Sequence, residues 1–570
     1  MNKQRIVAGL ASVAMASTLV ACSGGSSSDA KTLTVSVNQS LTGQFTPQYA
    51  SSAYDQYVVN LCYESMLKYN AENELEPVLA KDLPEVSEDG LTLTYKLEKG
   101  HKFSDGTEVT AKDVKFTFAT LADPSYAGPN GGGLENLVGY KEYNSGAAKE
   151  LTGIETPDDY TVVFHLVSPQ IDAVSTFGSM GITSADHYSK YKQGKVSVVE
   201  KNQEETCGSG AYQLKSYDKA SGASFVRNEE FKPEKGQYQV DRIVMKKTDV
   251  TTEVSELKKG TVDLIPEVIE TNKVSEASQD DNMAFNYYTR GAVGFVAMNA
   301  NNGATADKAV RQALMYATDR QGFCDSYFGW DKKASDEVKK VKGGYVPAAY
   351  WNPASESLGA VVRNEETIDG LNTYAFDMDK ANQVLDEAGW VRGADGIREK
   401  DGQKLEIKFL LSEGNSVLET LIPIVKKTWG DLGVDLKQTT VDFSTLLSNI
   451  QDTSHDSEWN MCFLATSFTS NQDSSANDSY TNVPANMAVN NYSRINDQAL
   501  IDQLAKARAD SDEKQSKVDY AEAMKMAADD AGYMPVYSGI MFNLYNKKVD
   551  MTGTGTLRNW SQSMDTITVK

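Results

Sequence analysis

Short runs of alternating apolar and polar residues recur along this chain, each followed by a turn and a helical pattern. That alternation most narrowly limits its fold. Residues 33–37 alternate and lead into a turn at Thr42-Gly43-Gln44-Phe45-Thr46-Pro47. Residues 91–97 present one apolar face after Glu88-Asp89-Gly90, then pass through the Asp105-Gly106 turn to Thr110. Thr110, with Asp113 three residues on, is a capping pair that starts a helix. A strand at 241–246 precedes a helix ending at Gly260 and a strand at 262–265. Ala306, Ala309, Val310, Ala313, Leu314 and Ala317 share one helical face. Asp377 caps a second helix that buries Ala381, Val384, Leu385 and Ala388 and stops at Gly389, with Trp390 behind the cap. Leu405, Ile407, Phe409 and Leu411 alternate before a helix over 416–429 that Pro423 should kink, and alternation returns from Val434. Residues 128–134 and 470–484 read as loops. The order is mixed α/β, and 570 residues suffice for two or more lobes.

The first residues obey a different rule. Lys3 and Arg5 precede an apolar run from Ile6 to Val20, shorter than a comfortable bilayer span, whose last residues belong to Leu19-Val20-Ala21-Cys22. This reads as a secretion signal over 1–21. Leu-Val-Ala-Cys resembles the bacterial lipobox, which implies that Cys22 is lipidated and becomes the new N-terminus. Residues 22–31 then form a Ser/Gly-rich tether, and the chain works outside the cell, held to the outer face of the cytoplasmic membrane. Cys62, Cys207, Cys324 and Cys462 are too far apart in sequence for a local zinc cluster and read as buried free thiols.

A formal net charge of −23 excludes nucleic acid as a partner, because phosphate recognition needs a basic footprint. Catalytic signatures are also missing. The four histidines, His101, His165, His187 and His455, have no metal-binding helical spacing, and no phosphate loop or nucleophile elbow occurs. Two Asp-Gly dipeptides in residues 395–402 fit a hairpin turn better than a calcium loop. The reading is a binder without catalytic residues, cofactor or metal. Its 28 tyrosines supply amphipathic rings of the kind that line ligand grooves.

Several ordered blocks resemble the family 5 extracellular solute-binding proteins of the oligopeptide, dipeptide and nickel class. They are Tyr63-Glu64-Ser65-Met66-Leu67, Glu76-Pro77-Val78-Leu79-Ala80, Phe103-Ser104-Asp105-Gly106-Thr107, Gly208-Ser209-Gly210-Ala211-Tyr212 and Val310-Arg311-Gln312-Ala313-Leu314 with Ala317-Thr318-Asp319-Arg320. The resemblance implies an α/β, two-lobed periplasmic-binding-protein-like fold (class II, type C), with an inserted subdomain and a hinge of two crossovers. Lobe I is expected at 32–54, 186–290 and 541–570, the inserted subdomain at 55–185, and lobe II at 291–540. It further implies a monomer that captures short peptides or peptide-like solutes for the permease and ATPase subunits of an ABC importer. Alternatives are a peptide-sensing surface receptor, or a binder of a nickel chelate, glycan or other small solute. Family members hold a peptide by strand-like main-chain bonds and pair its amino group with an Asp shortly after a Trp. Here those two positions match Thr466 and Thr469, so the usual ammonium anchor is absent, and Asp473 is the nearest substitute. The residues expected at the cleft are Gln44 and Phe45, Ala465, Thr466 and Ser467 as the ligand-facing ladder, Asp473, Asn491 and Tyr492.

Overall fold

Alternation becomes sheet wherever one strand face can be buried. In the computed structural model, which describes residues 30–468, 470–480, 490–510 and 512–570, the strand Thr32–Val37 puts Leu33 and Val35 in a core. The signal, Cys22 and the tether through residue 29 lie outside the described residues, as does Thr469. Lys31–Lys570 is one compact unit.

Among the described residues, twelve strands join one large sheet. From one edge it runs Asp435–Val441, Glu406–Ser412, Met461–Ser467, Ala292–Met298 and Tyr533–Asn546. It continues through Leu264–Val268, Thr32–Val37, Arg242–Lys247, Gly222–Arg227 and Tyr212–Asp218. The strand Tyr533–Asn546 links the two halves. Its first residues pair with Ala292–Met298, whereas residues 540–546 pair in continuous register with Met283–Thr289. The chain therefore passes from one half to the other twice, at 289–292 and at 537–540.

A separate four-stranded antiparallel sheet orders Glu85–Val86, Thr92–Lys96, Thr161–His165 and Ile154–Asp158. Helix Ala111–Leu121 shares its core, where Phe164 lies 5.2 Å from Phe118 and 4.7 Å from Phe177 between ring centres. Asp113 accepts from the Thr110 backbone N–H at 2.9 Å, as the capping pair requires.

The remaining local expectations mostly hold. Helix Met378–Glu387 starts at Asp377, whose carboxylate accepts from the Lys380 N–H at 2.8 Å, and Gly389 follows at φ 86°. Trp390 is buried and donates to Asp307 at 3.0 Å. Helix Ser416–Leu432 continues through Pro423 and crosses between the parallel strands Glu406–Ser412 and Asp435–Val441. The turns near residues 395–402 close a three-stranded antiparallel ribbon. Two expectations need correction. Within 470–484, read as a loop, Asp473–Ser479 forms a 3-10 helix. The single helix read from Ala306 to Ala317 is a 3-10 turn, Gly303–Ala306, then helix Lys308–Tyr316. Asp307 interrupts it by accepting from the Ala309 N–H at 2.9 Å, which makes it a cap and not a helical residue.

Candidate functional site

The crossovers bring three backbones together. Arg290 donates its N–H to the Gly539 carbonyl at 2.8 Å, and Gly344 and Tyr345 pair with Gly539 and Ser538. A Cβ on Gly539 would sit 2.2 Å from the Gly343 carbonyl oxygen, so only glycine allows this approach. Arg290 is 6% exposed, and its guanidinium lies 4.9 Å from the centre of the Tyr537 ring. Tyr537 in turn rests on Gly294, where a Cβ would come within 2.1 Å of the ring. Gly294 pairs across the sheet with Ala465.

Ala465 belongs to a strand with one uncovered edge. Met461–Ser467 pairs along its whole length with Ala292–Met298, but its other neighbour, Glu406–Ser412, pairs only at Met461 and Cys462. Past Cys462 no strand among the described residues covers that edge, and Ala465 and Ser467 are exposed. A row of backbone donors and acceptors is therefore open to an added extended chain.

Tyrosines surround the crossover. Glu267 accepts from the hydroxyls of Tyr57 and, at 3.0 Å, Tyr288. Burial pushes its carboxyl up, outweighing those hydrogen bonds and the Arg290 charge, which pull it down. Its backbone sits at φ 55°, a left-handed conformation unusual for a residue with a side chain, and its N–H donates to Asn543 at 3.2 Å. Tyr54, Tyr327 and Tyr345 also feel the Arg290 charge.

A second set of contacts joins the segment carrying the four-stranded sheet to the described residues of 471–508. Arg508 grips Asp172 with two hydrogen bonds, at 2.9 and 2.8 Å, and both side chains are nearly buried. Ser474 also donates to Asp172, Ile171 N–H donates to the Arg508 carbonyl at 3.0 Å, and Tyr69 donates to Asn471 at 3.4 Å.

The residues expected at the cleft separate into two groups. Ala465, Thr466 and Ser467 form the open edge. Gln44 is half-buried and accepts from Ser51 at 3.1 Å. Phe45 is a core residue, edge-on to Tyr217 at 4.8 Å. Asp473 is no substitute anchor: it is buried and already accepts from Trp351 at 2.9 Å, Ser355 at 2.7 Å and Ser357. Both oxygens are engaged and the side chain is buried, so the carboxylate is not presented to a ligand. Asn491 is fully buried and donates to the Ile495 carbonyl at 2.8 Å, a loop-bracing role. Tyr492 is half-buried and receives a 3.4 Å bond from Gln451. Sequence reasoning missed Arg290, Tyr537, Glu267 and the Tyr57–Tyr288 pair. The one available signal was the polar run Tyr287-Tyr288-Thr289-Arg290 directly before an all-apolar strand.

Residues 74–487 match the family model of the bacterial extracellular solute-binding proteins, family 5 middle region. The chain belongs to this family. It is 24% identical over 507 residues to the oligopeptide-binding protein AppA of Bacillus subtilis, an alignment spanning 86% of this chain and 83% of that protein. The solved AppA structure, in complex with a nonapeptide, superimposes with a TM-score of 0.79 at 20% identity, over 95% of this chain and 99% of that one. NikZ from Campylobacter jejuni, in complex with Ni(L-His), gives 0.77 at 19% identity over 95% and 99%. Like other family 5 proteins, this one is a two-lobed solute binder and not an enzyme. The four cysteines, 62, 207, 324 and 462, are buried free thiols. No helix among the described residues is long and apolar enough to cross a membrane.

Proposed function

We propose that this chain is the substrate-binding component of an ABC importer, capturing short peptides or peptide-like solutes between its lobes and handing them to separate permease and ATPase subunits. The observation that carries this reading is the uncovered edge at Ala465, Thr466 and Ser467 beside the crossover, where an extended peptide gains main-chain hydrogen bonds blind to its sequence. AppA, of similar length and fold, is an oligopeptide binder by name, which supports the peptide class. We place lobe I at 32–54, 186–290 and 541–570, its inserted subdomain at 55–185 and lobe II at 291–540. The strand changeover at 289–292 and 537–540 supports this division. The protein works as a monomer, as the family resemblance implies, and lipid on Cys22 holds it to the outer face of the cytoplasmic membrane, an anchoring that rests on the sequence motif alone.

Mass spectrometry of small molecules released on denaturing the purified mature protein tests the ligand class. Short peptides of mixed sequence are expected. A single non-peptide species would replace the peptide reading with that of a dedicated scavenger.

A further inference from the structure

Arg290 stands out among the buried cations. Arg311, Arg320 and Arg398 each hold two or more backbone carbonyls, and Arg508 holds Asp172. Among the described residues, the buried Nε and Nη1 of Arg290 have no hydrogen-bond partner, and no carboxylate lies within ion-pair distance of the guanidinium. Glu267, the acid whose charge it feels, is engaged by Tyr57 and Tyr288. A guanidinium taken out of water with its directed donors empty is strongly disfavoured, because nothing replaces its lost hydration. Such an arrangement persists where something else supplies the acceptor. Tyr537 fixes the guanidinium from one face, and through Gly294 the same ring stands one strand from Ala465.

We propose that Arg290 is the anchor for a carboxylate of the bound ligand, placed at the crossover so that one charged hydrogen-bonded contact both recognises the ligand and bridges the lobes. The inference rests on the peptide reading for the identity of the molecule but not for the chemistry of the contact. The guanidinium keeps its charge and offers empty Nε–H and Nη1–H donors on two of its edges, each able to make a charge-assisted hydrogen bond to a carboxylate oxygen. In a peptide that group is either the C-terminal carboxylate or an acidic side chain.

The test uses mature protein, unfolded and refolded to strip ligand, with three pooled pentapeptide sets of uncharged residues: free C-terminal acids, C-terminal amides, and amides carrying one Glu. A fourth pair, N-acetyl amino acids and their amides, probes the carboxylate without a peptide. Retention after washing is read by mass spectrometry. The wild type should hold at least one carboxylate-bearing peptide set about 30-fold over the neutral amides, the size of a charged hydrogen bond, and Arg290→Met should lose that preference. Preference for the acid set assigns the C-terminus, and preference for the Glu set assigns the side chain. Retention of neutral amides equal to acids overturns the anchor while leaving the peptide reading intact. If no peptide is held but N-acetyl amino acids are, and Arg290→Met abolishes it, the peptide reading falls and the anchor stands. No carboxylate preference in any set, or a preference that survives Arg290→Met, overturns it. Ligand-free Arg290→Met should melt no lower than the wild type because an unpaired buried charge has been removed. A lower melting temperature, with Arg290→Lys restoring stability but not the preference, would make Arg290 structural and also overturn the proposal.

Discussion

The Asp172–Arg508 pair gives the sharpest handle on lobe closure. It joins the segment bearing the four-stranded sheet to helix Gln498–Ala509, with two hydrogen bonds at 2.9 and 2.8 Å and a third donor from Ser474. Burial pushes the Asp172 carboxyl up, but the Arg508 guanidinium and the Ser474 hydroxyl outweigh it and hold it below the usual carboxylate range. Removing one partner of a buried pair ordinarily costs about 3–5 kcal/mol. Arg508 regains water when the lobes part, so we expect about 2–3 kcal/mol of that to fall on closure. Asp172→Ala should then weaken ligand binding by roughly 30–150-fold, measured by isothermal titration calorimetry with the peptides recovered from the wild type. Ligand-free thermal unfolding should shift little. Arg508→Gln should cost a similar factor, and the double variant little more than either single one. Additive losses in that cycle, or an unchanged affinity in Asp172→Ala, would refute a closure role for the pair.

Three further outcomes follow from the same contacts. Burial and the neighbouring carboxylates Glu135 and Asp172 raise Asp478 to about 6, and the Arg508 charge only partly opposes them. A carboxyl raised on closure takes up a proton, so affinity should rise by up to about 10-fold as pH falls from 7 to 5. It should fall again below pH 4 as Asp172 protonates, and Asp478→Asn should flatten the first limb in a titration series. Gly294→Ala places a methyl into the Tyr537 ring, and overpacking of that kind costs about 1–3 kcal/mol, visible as a lowered melting temperature together with weaker carboxylate retention. Burial pushes the thiols of Cys62, Cys207, Cys324 and Cys462 up to about 12, so a thiol reagent at pH 8 should label them only after denaturation.

Local order was legible in the chain because it depends on near neighbours. The Thr110–Asp113 cap, the Asp377 start and Gly389 stop, and the strands at 33–37, 91–97 and 405–411 each follow from residue types a few positions apart. The ordered family blocks carried the fold class and the binding role in the same way. Apolar spacing misled at one helix start, which it placed at Ala306 where the local preference of Asp307 caps the helix later. The site was different, because its chemistry depends on which polar groups find partners across the fold. Asp473 looked available in sequence and is buried and held by Trp351, Ser355 and Ser357, more than 100 residues away. Arg290 looked like an ordinary polar residue ahead of a strand. Only the tertiary structure, by stacking it on Tyr537 at the crossover and giving its buried Nε and Nη1 no partner among the described residues, sets it apart. Hydrogen-bond satisfaction is a property of the packed molecule, and sequence spacing carries no record of it.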